Sequence, residues 1–200
     1  MMTIFGKQFS RAWRSRCVVL LCLLAVAGGW LWFSRPVTAS QQLRGYAVSG
    51  VQVIDVVMPS GGPTQLHGIA TEDSGEIQEL LGLLDQYPTN RKWDWSWLLG
   101  EGFGDYNGKD PYSSVWVVLS FRDADGKAGS LQYIVSETGR VQVFEPNRFG
   151  DLPAGVGRFG AEGAKQYFAA LHRFYEQKVD SPLWVPSTPT EEEKRTGVDA

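Results

Sequence analysis

Cysteine is nearly missing from this sequence of 200 residues, which holds only Cys17 and Cys22. Both lie in an apolar stretch near the N-terminus. The remaining residues therefore have no thiol that could form a disulfide, act as a nucleophile or bind a metal. A body without thiols is compatible with export from the cytoplasm by a cell that does not rely on disulfides.

Histidine is equally scarce, and the two histidines, His67 and His172, lack the spacing of metal ligands. The sequence has no GxSxG, HExxH or SxxK motif, and GVGRFG at 155–160 lacks the lysine and hydroxyl residue of a phosphate loop. GDYNGKD and RDADGKAG lack the glutamate that an EF-hand loop places at its twelfth position. We therefore predict no catalytic residue, no metal and no cofactor, and favour a binding protein over an enzyme.

Acidic residues are missing from one end of the chain. Residues 1–39 hold five of the 19 basic residues and none of the 22 acids, so the rest carries 14 bases against 22 acids, a net charge of -8. An acidic body repels the phosphate backbone, and we expect no nucleic-acid partner.

The longest uncharged apolar run covers residues 17–33. A helix of seventeen residues spans about 25 Å, just short of a hydrocarbon core of about 30 Å. Trp30 and Trp32 with Arg35 are typical of a membrane interface, and four bases before the run place the N-terminus inside. We predict a single-pass signal-anchor that contacts the lipid bilayer, with the C-terminal domain outside. The alternative is a signal peptide cleaved near Ala39, which would give a secreted protein.

The sequence pattern of the residues after the N-terminal segment predicts an α+β fold. VQVIDVVM at 51–58 and TQLHGIAT at 64–71 favour strands, and residues 114–144 alternate as a three-strand antiparallel meander. Two amphipathic helices are expected to cover the sheet. The first begins at an N-cap, for which Asp73 is the candidate and Ser74 the alternative. Its apolar face consists of Ile77, Leu80, Leu81 and Leu84. The second helix lies near the C-terminus, and its apolar face consists of Ala164, Tyr167, Phe168, Leu171, Phe174 and Tyr175.

Five segments follow from these patterns. Residues 1–16 form a basic cytoplasmic N-terminus, 17–33 the transmembrane helix and 34–45 a polar linker. Residues 46–180 form the extracytoplasmic α+β domain, and 181–200, with prolines and a charge run, a disordered tail.

The layout over residues 50–178 resembles small exported domains of unknown function from Gram-positive bacteria. The similar features are the N-terminal anchor, the Glu79-Leu80-Leu81 stretch before the meander, and a loop rich in proline, glycine and aromatic residues after it. The resemblance implies a location in the cell envelope and supplies no active site.

The best candidate ligand site combines two segments. Trp93, Trp95 and Trp97 alternate, so an extended backbone would align their rings on one side as a platform for sugar rings. The sugar hydroxyls would donate to Asp94, Glu101, Asp105 or Asn107. Asn147, Arg148 and Phe149 lie in the loop after the meander, where binding residues concentrate. The competing interpretation is structural: buried tryptophans between helix and sheet, and a simple connecting loop.

These observations predict a membrane-anchored extracytoplasmic binding or accessory domain whose ligand is an envelope glycan, peptide or protein. Two alternatives stay open, a hydrolase of the envelope without a recognisable motif and an interaction subunit of a membrane complex. Small residues at 25–29 on the anchor helix are the feature that favours the last.

Overall fold

A computed structural model describes residues 11–59, 64–91, 112–122, 125–139, 141–144, 154–156 and 160–187. The chain divides into two compact units, residues 1–35 and 36–200, and each is described by itself.

The first unit contains one long helix, α1, Arg11–Phe33. Its large apolar side chains from Val18 to Trp32 are 46–71% exposed. Past the end of the helix, Ser34 Oγ donates to the carbonyl of Trp30 at 2.8 Å, and the Arg35 guanidinium lies 5.2 Å from the centre of a Trp32 ring. In the described part of the chain, no helix is both long and apolar enough to cross a bilayer, so the structure does not support the predicted transmembrane span of residues 17–33.

The second unit is built on a six-stranded antiparallel sheet, which confirms the α+β class. The strands are β1 Ala47–Met58, β2 Gln65–Thr71, β4 Tyr112–Arg122, β5 Ala128–Ser136, β6 Val141–Phe144 and β8 Val185–Ser187. Their order is β6-β5-β4-β1-β2-β8, so the predicted meander β4-β5-β6 forms one half of a larger sheet. Two short strands, β3 Thr89–Arg91 and β7 Ala154–Val156, pair separately.

The meander forms where the sequence alternates and where glycine supplies the turns. Val115, Val117, Leu119 and Phe121 all enter the main core, as the period of two requires. Gly126 between β4 and β5 and Gly139 between β5 and β6 adopt positive φ angles of 79° and 90°. Such angles are strained for other residues, so glycine fixes both hairpins.

Helices α3, Ser74–Asp85, and α4, Gly160–Lys178, contribute to one core on a single face of the sheet. The Asp73 carboxylate caps α3 by accepting from the backbone N–H groups of Gly75 and Glu76, as predicted. The predicted apolar faces are confirmed: Ile77, Leu80, Leu81, Leu84, Ala164, Tyr167, Leu171 and Phe174 are buried, and Phe168 and Tyr175 pack at the edge. On the opposite face, Ile54, Val56 and Trp116 form a smaller buried cluster.

The predicted linker, residues 34–45, is partly built into this second unit. Helix α2, Ala39–Gln42, begins with a capping box in which Thr38 accepts from the Gln41 N–H and the Gln41 side chain accepts from Thr38. Ala39 and Leu43 are buried in the main core. The backbone of Val37 exchanges two hydrogen bonds with Thr89, of 2.7 and 3.0 Å.

The predicted disordered tail is wrong for its first seven residues. Trp184 is buried, and β8 pairs with β2 along Gly68–Ala70. The Thr71 hydroxyl donates to the carbonyl of Leu183 at 2.7 Å. Apolar burial and hydrogen bonds to the sheet edge therefore order residues 181–187, and the remaining residues of that segment, 188–200, lie outside the described residues.

Candidate functional site

The residues that the sequence favours as a ligand site lie outside the described residues. This applies to Trp93, Trp95, Trp97 and Asp105 in the tryptophan segment, and to Asn147, Arg148 and Phe149, which follow β6 in the sequence. The platform hypothesis therefore stays a prediction.

The described residues contain a different cluster of chemical groups, centred on Asp55 in β1. Asp55 lies directly opposite His67 of β2 and Val115 of β4 in the antiparallel registers. Its side chain shares the helix-covered face with Val51 and Val53, since alternate strand residues point the same way. From α4, His172 places Nε2 3.8 Å from Asp55 Oδ1. The fold thus brings both histidines of the chain to one carboxylate.

Asp55 is unusual because it is a carboxyl group inside an apolar core. The residue is 8% exposed, and within the described residues its Oδ1 has no hydrogen-bond partner. The separation of 3.8 Å from His172 allows electrostatic attraction and is too long for a hydrogen bond. Burial raises the pKa of Asp55 above its usual 3.8, while the charges of His172 and His67 act in the opposite direction.

His172 connects this buried carboxyl group to solvent. Its side chain is 36% exposed, and Nδ1 lies 3.7 Å from Oε1 of Glu176, one helical turn further along α4 and 63% exposed. The ring of Phe168 packs against the imidazole with centroids 5.7 Å apart. The imidazole is therefore held between an inner carboxyl group and an outer one, each facing a different ring nitrogen.

Tyr175 extends the same cluster. Burial raises the pKa of the Tyr175 hydroxyl, and the charge of Asp55 adds to that shift. The cluster thus combines two carboxyl groups, two imidazoles and a phenol on the side of the sheet that α4 covers.

The donor set resembles that of a metal site in composition, but its geometry differs. Among the residues that the structure describes, no group of three or more His, Cys, Asp or Glu side chains could hold a metal ion. Because Asp55 and Glu176 face opposite nitrogens of His172, one ion cannot bind both carboxylates and that imidazole together. The arrangement therefore does not suit coordination of one metal ion by these three side chains.

The sequence contained one signal for this cluster that motif searches do not detect. Asp55 is the single charged residue in VQVIDVVM, a strand whose other residues are uncharged and mostly apolar. A charge in such a strand must be paired or neutralised, so it marks a place where a partner approaches. The partner could not be identified, because His67 and His172 are far apart in sequence and only the fold brings them together.

Comparisons with protein-family models, curated proteins and solved structures find no match to this chain.

Proposed function

We propose that the protein is a binding or accessory domain of the cell envelope, held at the membrane through α1. The observation that carries this proposal is the exposure of α1: ten large apolar side chains between Val18 and Trp32 are 46–71% exposed. A run of that kind in water would be an aggregation hazard, whereas lipid would cover it favourably.

The charge distribution supports an orientation with the folded domain outside. All bases of residues 1–16 precede the apolar run, and the segment beyond residue 39 has a net charge of -8. Basic residues stay on the cytoplasmic side of membrane segments. Arg35 with Trp32 and Trp30 would mark the outer interface, where aromatic rings and long basic side chains are favoured.

The contacts of residues 37–39 favour retention of the N-terminal segment over cleavage near Ala39. Cleavage there would remove the backbone pairing of Val37 with Thr89, the Thr38 cap of α2 and the buried Ala39 side chain. A mature protein would thus lose contacts that its own fold uses.

The membrane association is tested by fractionation of cells that express the full chain. We expect the protein in the membrane fraction, resistant to high salt, and its release when Leu20→Glu and Leu24→Glu are combined. Leu183→Glu is the matched control, since Leu183 is also half exposed but lies outside α1. Full-length wild type in the soluble cytosolic fraction would overturn the proposal, and an intact mass that lacks the first 39 residues would establish the secreted alternative.

The ligand that we propose is an envelope glycan or peptide, or a partner protein, and the tryptophan segment is the site to test first. Quenching of tryptophan fluorescence by soluble wall fragments should be lost when Trp93, Trp95 and Trp97 are all replaced by leucine. Trp184→Phe serves as the control because Trp184 is buried between α3 and α4. Equal quenching in the triple variant and the wild type would refute this site.

A hydrolase of the envelope is a second candidate, favoured by the position of His172 between two carboxyl groups. An imidazole with a carboxylate partner is a common general base, and the distance between the two groups is often longer than a hydrogen bond before substrate binds. This candidate predicts that the wild type releases soluble fragments from wall material and that His172→Asn does not. If both proteins bind the material and neither releases fragments, the binding function stands alone.

A further inference from the structure

We propose that His172 is a proton-binding site that fastens the second half of α4 to strand β1 when its imidazole is charged. The proposal rests on contacts inside the second unit, so it is independent of where the protein resides and of what it binds.

The first support is the charge that a protonated His172 would compensate. Asp55 Oδ1 is buried and has no hydrogen-bond partner among the described residues. A buried carboxylate in that state is costly, and within the described residues the His172 imidazole, 3.8 Å away, can supply a positive charge. A proton on His172 turns a contact between a charge and a neutral ring into an ion pair.

The second support is the carboxyl group on the other side of the ring. Glu176 Oε1 lies 3.7 Å from Nδ1, so a charged imidazole is attracted on both nitrogens. Both nitrogens of a protonated imidazole carry hydrogen, so each carboxyl group faces an N–H of the charged ring, at a separation that allows attraction and is too long for a hydrogen bond. A neutral imidazole carries one N–H and no net charge, so it attracts the two carboxyl groups only weakly.

The other groups around Asp55 are one competing imidazole and side chains without charge. From β2, His67 lies across from Asp55, is exposed, and competes for the same carboxylate. From β4, the partner of Asp55 is the uncharged Val115, and from β5, the Tyr133 hydroxyl donates to Gln42. On α4 itself, Tyr175 is neutral near neutral pH because burial and Asp55 both raise its pKa.

The attraction needs a charged imidazole and an ionised carboxyl group at the same time. Loss of the imidazole proton ends the attraction as the pH rises. Burial raises the pKa of Asp55, so this carboxyl group becomes neutral at a higher pH than an ordinary aspartate does, and the attraction ends again in acid. The contact between α4 and β1 should therefore be tightest at a pH between these two limits.

Hydrogen exchange on the full chain tests the proposal locally. After correction for intrinsic rates, backbone amides in residues 171–178 should be several-fold more protected at about pH 5.5 than at about pH 8, on either side of the ordinary imidazole titration. His172→Asn should remove this difference, and Glu176→Gln should reduce it while keeping Asp55 and His172 in place. His67→Asn, the matched control, should retain it.

A double-mutant cycle of His172→Asn with Asp55→Asn gives a second readout from thermal unfolding. The two substitutions should be coupled at about pH 5.5 and additive at about pH 8. Coupling of equal size at both pH values, or a larger coupling between His67 and Asp55, would overturn the proposal. Unchanged pH dependence of exchange in His172→Asn would do the same.

Discussion

Trp184 donates its indole N–H to Oε2 of Glu76 at 2.9 Å, which joins the last described segment of the chain to the first turn of α3. The same carboxylate oxygen lies 2.7 Å from Lys178 Nζ at the end of α4, and the Trp184 ring meets Phe174 edge to face. One carboxyl group thus connects three segments that lie far apart in sequence. Because Glu76 is buried, these bonds matter more than an ion pair on the surface.

Glu76→Gln is expected to destabilise the domain by about 1–3 kcal/mol at neutral pH, the range for hydrogen bonds to charged groups. The bonds from Lys178 and Trp184 hold the pKa of Glu76 below its usual 4.5. Its stabilising effect is therefore present above pH 4.5 and is lost as the pH falls through the lowered pKa. Melting temperatures across acidic and neutral pH should show the wild type and the variant converging in acid.

The control for this prediction is Glu79→Gln. Glu79 also accepts from Lys178 at 2.7 Å, but its side chain is 55% exposed, so we expect only a small change in melting temperature. A difference between wild type and Glu76→Gln that stays constant down to strong acid would contradict the assignment of Glu76 as the charged partner.

Gly68→Ala is expected to displace β8 from the sheet edge. A Cβ atom at this position would lie 2.6 Å from the carbonyl oxygen of Ser187 and 2.8 Å from its hydroxyl oxygen, so the strand must move. Gly50→Ala is the matched control, since its Cβ would have no neighbour closer than 3.6 Å. We expect faster hydrogen exchange at residues 183–187 and a changed Trp184 fluorescence in the first variant only. Unaltered protection of those residues in Gly68→Ala would disprove the tight packing of β8.

Tyr167→Phe is expected to stabilise the domain, whereas Tyr133→Phe should destabilise it. Both rings are buried, but within the described residues the Tyr167 hydroxyl has no hydrogen-bond partner, while the Tyr133 hydroxyl donates to Gln42 at 3.2 Å. Removal of an unpaired buried hydroxyl relieves a desolvation cost of about 1–3 kcal/mol. Chemical denaturation of each variant gives the sign of the change in the free energy of unfolding relative to the wild type. A loss of stability in Tyr167→Phe would contradict this account.

Tyr167 should also make the stability of the domain depend on pH in the alkaline range. Burial raises its pKa well above the usual 10.0, so above pH 10 the phenol ionises in the unfolded chain before it ionises in the folded domain, and the free energy of unfolding falls as the pH rises toward the raised value. The wild type should therefore lose stability in alkali more steeply than Tyr167→Phe. Parallel pH profiles of the two proteins would be inconsistent with a buried phenol.

The parts of the fold that the sequence predicts are those fixed by local patterns. Leu80 and Leu84 repeat at helical spacing behind the Asp73 cap, and Val115 to Phe121 alternate before a glycine turn, so each element can be identified within a dozen residues. Their confirmation also explains why two helices cover one face, since both helices carry a single apolar stripe that must be buried.

The features that sequence reasoning missed depend on contacts between distant segments. Nothing near Trp184 indicates that Glu76, 108 residues earlier, will accept its N–H, and a segment rich in proline predicts disorder instead. The same limit applies to Asp55 and His172, whose pairing follows from the placement of α4 over β1. Local composition cannot identify the two partners of such a contact. A lone charge in an apolar strand or a large aromatic residue in a polar tail can still indicate that a distant segment packs there.

Thr38→Ala is expected to destabilise the domain by about 1 kcal/mol, which for its size lowers the melting temperature by roughly 2–4 °C. The threonine oxygen caps α2 by accepting from the Gln41 N–H, and α2 in turn buries Ala39 in the main core. Ser49→Ala is the control, because its hydroxyl makes a long bond of 3.4 Å to Ser120 at an exposed position. Thermal unfolding of both variants distinguishes an α2 that belongs to the domain from one that is a passive linker. Equal melting temperatures for wild type and Thr38→Ala would show that residues 37–43 contribute little to the stability of the domain. The contacts of residues 37–39 would then no longer count against cleavage near Ala39.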